Sequence, residues 1–212
     1  IHPGYGFLSE NSEFAAMCSK FNLEFIGPSV ECIEKMGSKI GSKVIAKSAG
    51  VPTLEPIYVK DISDEEILKK VKAVGFPVLI KASAGGGGRG MQKIEREQDV
   101  ISAIKRLQIE AENAFKDNTL FIEKYIERPR HIEVQVVGDK FGALIHLGER
   151  DCTIQRRYQK IIEESPSPVL TDEIREDICQ AALKIARAVS YNSVGTVEFL
   201  YDLDTQKYYF ME

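Results

Sequence analysis

Apolar positions recur along the 212-residue chain with two spacings, and their order divides the sequence into three stretches. In the first stretch, apolar side chains three and four apart predict one helix around residues 14–21 and a second over residues 39–48, which Gly50 and Pro52 end. A short apolar run at residues 23–26 predicts a strand between them. This stretch is therefore expected to be helical around one short strand.

Residues 57–124 contain the order strand, helix, strand, strand, helix, strand. Ser63 followed three positions later by Glu66 is a capping box that begins the first helix, and Gly75 ends it. The second helix is predicted from apolar positions that recur between residues 100 and 111. This order predicts an antiparallel sheet backed by two helices, which is an α+β arrangement.

Residues 131–212 predict a second α+β unit. An alternating run that meets a glycine-bounded turn at residues 138–142 predicts a hairpin. Thr171 is expected to cap a helix with one apolar face, and residues 194–200 and 207–212 predict a strand pair. The two α+β units are expected to clamp a ligand between their sheets.

A run of glycines joins two strands of the first α+β unit: Gly85, Gly86, Gly87, Gly88 and Gly90. Glycine N–H groups approach a ligand closely, and Lys81 just before the run supplies a point charge for phosphate. A strand-like pattern follows from Met91, and no Gly-Lys-Ser/Thr ends the run, so neither a dinucleotide fingerprint nor a P-loop fits. The run predicts a flap over the phosphates of a nucleotide; the alternative is a hairpin turn or a linker.

Composition and charge narrow the function. The net charge of −4 argues against a nucleic-acid partner, and no apolar run approaches the length of a membrane span. The four cysteines form no C-x-x-C pair, which is typical of reduced thiols in a cytosolic or organellar protein. The chain begins with Ile1 and ends inside an apolar strand, so we expect an internal piece of a longer protein.

Two carboxylates fall on the predicted C-terminal strand pair. Glu198 has apolar neighbours, and Glu212 ends the following strand, so a hairpin can bring them side by side. Paired carboxylates on rigid strands suit Mg²⁺ that bridges phosphate oxygens. The alternative is two unrelated surface glutamates.

Two further segments are rich in candidate ligand contacts. Residues 121–126 form an apolar strand that leads into a chain crossing, where backbone groups can pair with an adenine edge and Glu123 can accept hydrogen bonds; the alternative is a strand end with Lys124 solvated. Residues 150–160 are dense in arginine, glutamine and lysine donors, which suit small oxyanions. A solvated basic turn is the alternative there. Because no serine or cysteine nucleophile is evident, transfer of phosphate by positioning and charge is favoured.

These segments together resemble the biotin carboxylase family of the ATP-grasp superfamily, over essentially the whole chain. The matching segments are residues 2–11, 36–39, 81–91, 121–125, 130–135, 149–164, 195–199 and 210–212. The resemblance implies an α+β ATP-grasp fold, preceded by the tail of an α/β N-terminal domain.

The resemblance also implies domain boundaries. Residues 1–38 would be the end of the N-terminal domain and residues 39–56 a linker and helix. Residues 57–128 would be the lid subdomain with the glycine run, and residues 129–212 the second subdomain, truncated at its C-terminal end.

The implied activity is the first half-reaction of a biotin-dependent carboxylase. Bicarbonate and ATP, with Mg²⁺ or Mn²⁺, form carboxyphosphate, which supplies the carboxyl group for biotin on a carrier. The implied partners are a biotin carboxyl carrier protein or domain and a carboxyltransferase subunit or domain, with a homodimer of the full-length domain. The cytoplasm is the implied location, or the mitochondrial matrix in a eukaryote, and fatty acid biosynthesis is one implied role. Another ATP-grasp carboxylate–amine ligase and a degenerate nucleotide-binding domain are the alternatives.

The family pattern assigns roles to individual residues. Metal would be held by Glu198 and Glu212, and Lys160 would lie at the phosphate and bicarbonate end. Contacts to ATP would come from the five glycines and from Lys39, Lys81, Met91, Glu123, Lys124, Ile126, His131, Gln155, Tyr158 and Leu200.

The chain departs from the family pattern in two ways. Tyr158 stands where the family commonly has histidine; tyrosine can donate a hydrogen bond but carries no positive charge. The family's bicarbonate-binding arginine and catalytic base belong to a segment beyond Glu212, so the sequence given is expected not to turn over by itself.

Overall fold

The computed structural model describes residues 1–84 and 90–212. Contacts divide the chain into two compact units. Unit 1 comprises Ile1–Thr53, Arg130–Ile154 and Ile162–Glu212; unit 2 comprises Leu54–Pro129 and Gln155–Ile161. The domain boundaries implied by the family resemblance stay a prediction.

Three short helices open unit 1: α1 (Ser12–Lys20), α2 (Val30–Gly37) and α3 (Lys39–Ser48). Each begins because a polar side chain just before it accepts a hydrogen bond from a backbone N–H in the first turn. The caps are Asn11, Ser29 and Ser38.

The strand predicted at residues 23–26 is wrong, because no strand is assigned there in the described part of the chain. The segment is held by backbone bonds to the first residue, with the Ile26 N–H donating to the Ile1 carbonyl at 2.9 Å. A strand needs a neighbouring strand to complete its ladder, and a single residue does not provide one. Leu23 and Ile26 are consequently about half exposed.

Unit 2 is built on a four-stranded sheet. In chain order its elements are β1 (Ile57–Tyr58), α4 (Asp64–Val74), β2 (Val78–Ala82), β3 (Met91–Ile94), α5 (Val100–Phe115) and β4 (Leu120–Lys124). The strand order is β1-β4-β2-β3, all antiparallel.

The predicted sandwich of unit 2 is confirmed. Side chains of α4 and α5 pack with Val78 and Ile80 of β2 in one hydrophobic core, so both helices cover the same face of the sheet. Ser63 caps α4 as predicted, accepting from the Glu66 N–H at 3.2 Å, and Gly75 ends it with a φ of +80°.

Unit 1 contains most of a five-stranded sheet. Its elements are β5 (Pro129–Gly138), β6 (Leu144–Arg156), β7 (Gln159–Glu164), α6 (Asp172–Ala188), β8 (Ser193–Asp202) and β9 (Lys207–Phe210). The strand order is β7-β6-β5-β8-β9, and β8 pairs with β9 in antiparallel register as predicted.

The donor-rich residues 150–160 are strand rather than a basic turn. β6 continues through Arg156 and β7 begins at Gln159, so only two residues make the turn. The start of this stretch is paired with β5, where Arg150 lies directly opposite Glu133.

Helix α6 forms the main core of unit 1. Thr171 caps it as predicted, and Ile178, Ala181 and Ile185 are buried against β5 and β8 residues such as Val134. Among the described residues, no helix is both long enough and apolar enough to cross a membrane.

Candidate functional site

In unit 2, the candidate residues lie on the sheet face that the helices leave uncovered. Val78, Ile80 and Ala82 of β2 point into the core, so Lys81 points to the opposite face. There its ammonium donates to Glu123 Oε2 of β4 at 2.9 Å, and Met91 of β3 lies directly opposite Lys81. The Glu123 side chain is only 1% exposed, which makes this a nearly buried charge pair.

Lys124 is directed elsewhere. Its ammonium donates to the carbonyls of Gly75 and Phe76 at 3.2 and 3.1 Å, just past the end of α4, where a helix leaves its last carbonyls without partners. Only the Lys124 backbone is therefore available for the adenine contact that was predicted at this strand end. Ile126, two residues on, is buried.

The glycine run lies largely outside the described residues. That holds for Gly85, Gly86, Gly87 and Gly88, whereas Gly90 is described. Gly90 has a φ of +69°, and its carbonyl accepts from the Ala82 N–H at 2.8 Å. A Cβ at this position would lie 2.9 Å from the Ala82 Cβ, so the return of the chain into β3 requires glycine.

In unit 1, core residues and candidate site residues alternate along strand β5 and therefore lie on opposite faces of the sheet. Ile132, Val134 and Val136 are buried in the core, so His131 and Glu133 point to the other face of the sheet. Glu198 of β8 alternates with core residues in the same way and lies on that face.

His131, Glu133 and Glu198 form a cluster that we call the carboxylate–histidine group. One imidazole nitrogen and one carboxylate oxygen from each glutamate lie within 4.8 Å of one another, and His131 Nε2 is 3.2 Å from Glu198 Oε2. Carboxylate oxygens suit Mg²⁺, and Mn²⁺ also accepts an imidazole nitrogen. The donor set of this group therefore fits a divalent cation.

The predicted neighbours Glu198 and Glu212 meet at their backbones. The Glu198 N–H donates to the Glu212 carbonyl at 2.7 Å, and the Met211 N–H donates to the Glu198 carbonyl at 2.8 Å. Leu200 follows on the same face of β8 as Glu198. Their roles toward metal and nucleotide stay predictions.

Two polar residues of this face, Glu133 and Gln135, were not predicted as site residues. Glu133 is buried, and its Oε1 accepts from Arg150 Nε at 2.6 Å. Arg150 Nη1 also donates to Gln135 at 3.1 Å. Alternation along residues 131–135 places Glu133 and Gln135 beside His131, and this signal was present in the sequence.

The β6–β7 hairpin holds three predicted residues: Gln155, Tyr158 and Lys160. Arg157 and Tyr158 form its turn with φ values of +52° and +64°, as a type I′ turn requires at both central positions. Tyr158 is 62% exposed, and Lys160 is half-buried. Bulky residues rarely adopt this backbone region, so the turn is strained.

Lys39, the remaining predicted phosphate contact, is the first residue of α3. Ser38 caps this helix by accepting from the Gly41 N–H at 3.1 Å. A helix N-terminus presents free N–H groups and a partial positive charge, which favour an anion beside Lys39. The lysine itself is half-buried.

The chain matches two family models. Residues 38–212 match the ATP binding domain of the carbamoyl-phosphate synthase L chain, and residues 1–33 match the biotin carboxylase N-terminal domain. Together the two matches cover nearly the whole chain.

Similar proteins match the chain along its full length. Biotin carboxylase 1 of Bacillus subtilis is 51% identical, and the match covers 100% of this chain and 47% of that protein. The mitochondrial methylcrotonoyl-CoA carboxylase subunit alpha of Oryza sativa is also 51% identical, with coverage of 100% and 29%.

A solved structure is similar in fold as well. It is the biotin carboxylase domain dimer of Hydrogenobacter thermophilus 2-oxoglutarate carboxylase, in complex with MgADP, ADP and bicarbonate. Its TM-score is 0.91 at 48% identity, and the match covers 100% of this chain and 47% of that one. This chain therefore spans less than half the length of these relatives. The matches confirm the resemblance and the α+β ATP-grasp fold that the sequence led us to expect.

Proposed function

Because the chain belongs to the biotin carboxylase family, with an ATP-binding domain of the carbamoyl-phosphate synthase L chain type, we propose that its full-length protein is a biotin carboxylase. It uses ATP and bicarbonate to carboxylate biotin on a carrier protein or domain. The observation that carries this proposal is the carboxylate–histidine group of unit 1, whose donor atoms lie within 4.8 Å of one another on the sheet face opposite the hydrophobic core. Such a group suits a cation that accompanies nucleotide phosphates.

We assign the phosphate contacts to the glycine run and to two lysines, Lys81 and Lys39. Lys81, held by Glu123 at 2.9 Å, presents a fixed ammonium beside the glycine run. Lys39 adds a second ammonium at the N-terminus of α3. Fixed cations of this kind stabilise negative charge on a transferred phosphoryl group without reorganising during the reaction.

We assign the adenine contacts to the end of β4 and to apolar neighbours. Main-chain groups of Lys124 and Ile126 meet the base edge, because the Lys124 side chain is engaged at the end of α4. Met91 and Leu200 pack against the ring, while His131, Gln155 and Tyr158 lie by the rest of the nucleotide. Lys160 serves the bicarbonate end.

We assign metal binding to Glu198 and Glu212. Two residues of the same sheet face, Glu133 and His131, complete the donor set. Bound there, Mg²⁺ or Mn²⁺ would neutralise phosphate charge. The chain's own contribution is to hold these side chains on strands, where their backbones are fixed by the ladder.

The family also suggests partners. Relatives include a carboxylase subunit and the biotin carboxylase domain of a larger carboxylase, and one solved relative is a dimer. We propose a carrier protein or domain, a carboxyltransferase and a homodimer of the full-length domain. The cytoplasm, or the mitochondrial matrix in a eukaryote, is the proposed location.

The direct test measures ATP hydrolysis by the full-length protein with and without bicarbonate and free biotin. We expect hydrolysis to depend on bicarbonate and to rise with biotin, and Glu198→Gln to abolish it, whereas Glu173→Gln on the exposed side of α6 leaves it unchanged. Hydrolysis without bicarbonate dependence would contradict the proposal. Phosphate release that depends on an amino acid would instead identify a carboxylate–amine ligase.

A further inference from the structure

Two carboxylates, those of Glu133 and Glu163, lie near the Arg150 guanidinium, and either of them can balance its charge. Its Nε donates to Glu133 Oε1 at 2.6 Å and its Nη2 contacts the same oxygen, whereas the Nε lies 3.8 Å from Glu163 Oε2 on β7. The Glu163 side chain is 45% exposed, so this second carboxylate is free to follow a displaced guanidinium. A further contact that fixes the guanidinium would therefore help to keep Arg150 on Glu133 rather than on Glu163.

Gln135 provides that contact. Its Oε1 accepts from Arg150 Nη1 at 3.1 Å, and its Nε2 donates to the Gly195 carbonyl at 2.7 Å. A guanidinium only donates and a carbonyl only accepts, so the two neighbours fix which end of the amide faces which. The side chain thus links β8 to Arg150 across β5.

The β8 end of this link is itself fixed. The Tyr191 hydroxyl donates to the Val194 carbonyl at 3.1 Å, and a Cβ on Gly195 would overlap that hydroxyl. Tyr191 is half-buried beside the core of unit 1. The Gly195 carbonyl is therefore a rigid anchor, three residues before Glu198.

We infer that Gln135 is a positioning residue, which holds Arg150 on Glu133 and so keeps the Glu133 carboxylate in the carboxylate–histidine group. This inference rests on the metal role in the proposed function. Residues that orient a metal ligand through a hydrogen bond typically change metal affinity about 10–100-fold when they are removed.

The test uses the full-length protein and two measurements. Mn²⁺ affinity is measured by electron paramagnetic resonance without nucleotide, and the exchange rate of the Arg150 Nε–H is measured by ¹⁵N NMR without metal. We expect Gln135→Met to weaken Mn²⁺ binding about tenfold and to accelerate the Nε–H exchange. Gln135→Ala removes the same bonds without added bulk and serves if methionine is not accommodated.

Two comparisons separate positioning from a loss of stability. Gln180→Met removes a half-buried glutamine of α6 that donates to Glu176 at 2.9 Å, and both measurements should stay at their wild-type values. In an Arg150→Met background, Gln135→Met should have no further effect on Mn²⁺ affinity, because it acts through the missing guanidinium.

The outcomes are distinct. Unchanged Nε–H exchange in Gln135→Met, additive effects in the double variant, or unchanged Mn²⁺ affinity in a protein that binds Mn²⁺ would each overturn the inference. A wild-type protein that binds no Mn²⁺ would remove the metal role from the proposed function, and the exchange rate would still decide whether Gln135 holds Arg150.

Discussion

Lys81 donates a 2.9 Å hydrogen bond to Glu123 on the neighbouring strand, and the Glu123 side chain is only 1% exposed. Lys81→Met would leave this carboxylate buried beside an apolar side chain. Losing one partner of a buried pair costs about 3–5 kcal/mol, so we expect a loss of that size in the free energy of unfolding, measured with urea.

An exposed pair gives the control for this prediction. Lys35 Nζ lies 2.6 Å from Glu31 Oε1, which is a similarly close contact, but the two side chains are 48% and 74% exposed. Lys35→Met should change the free energy of unfolding far less than Lys81→Met, because exposed ion pairs contribute little to stability. The double variant Lys81→Met with Glu123→Gln should recover part of the loss, because the buried charge is gone; an equal cost at both pairs would contradict the prediction.

Tyr158 stands where the family commonly has histidine, and Tyr158→His should make nucleotide binding depend on pH. An imidazole with an ordinary pKa of about 6.5 gains positive charge as the pH falls below it, which attracts polyphosphate. We expect the nucleotide affinity of this variant to rise a few-fold between about pH 8 and pH 6, relative to the wild type and to Tyr158→Phe. Parallel profiles for all three proteins would place residue 158 away from the nucleotide.

Substitution of Gly90 is opposed by its positive φ and by a neighbouring side chain, whereas substitution of Gly142 is opposed by its positive φ alone. Both have a positive φ, of +69° and +95°, but only at Gly90 would a Cβ approach another side chain, Ala82 at 2.9 Å. Gly142→Ala should cost about 1–2 kcal/mol of unfolding free energy from backbone strain alone. Gly90→Ala should cost more and should weaken ATP binding by the full-length protein, as followed by calorimetry. A larger loss at Gly142 would be inconsistent with this geometry.

Alkaline pH should destabilise the protein through two acids of unit 1, the buried thiol of Cys179 and the half-buried hydroxyl of Tyr191. Burial raises the pKa of the Cys179 thiol from 9.0 to about 11 and that of the Tyr191 hydroxyl from 10.0 to about 12. Because both folded-state values exceed the unfolded ones, the stability they contribute is complete below pH 9 and falls as the pH rises toward 12.

This fall is measured as the free energy of unfolding at successive pH values. Cys179→Ala and Tyr191→Phe should each flatten the decline, since the titrating group is gone. Tyr5→Phe is the matched control, because that ring is 95% exposed and should leave the profile unchanged. A profile that is flat in the wild type would contradict the prediction.

Features that depend on a few consecutive residues could be predicted from the sequence. Ser63 and Thr171 cap their helices as expected, because a cap is a hydrogen bond within three residues of the chain. The β8–β9 pair was likewise foreseen from two adjacent strand patterns. The expected strand at residues 23–26 failed because its existence depends on a partner strand, which the segment's own composition does not specify.

The sequence by itself determined the order of helices and strands in residues 57–124 and the position of Lys81 beside the glycine run. The tertiary structure alone decided which side chains meet: Lys81 with Glu123, Glu133 with His131 and Arg150, and Lys124 with the end of α4. The physical reason is that periodicity is a local property, while neighbours across a sheet follow from strand order and register, which many distant contacts fix together.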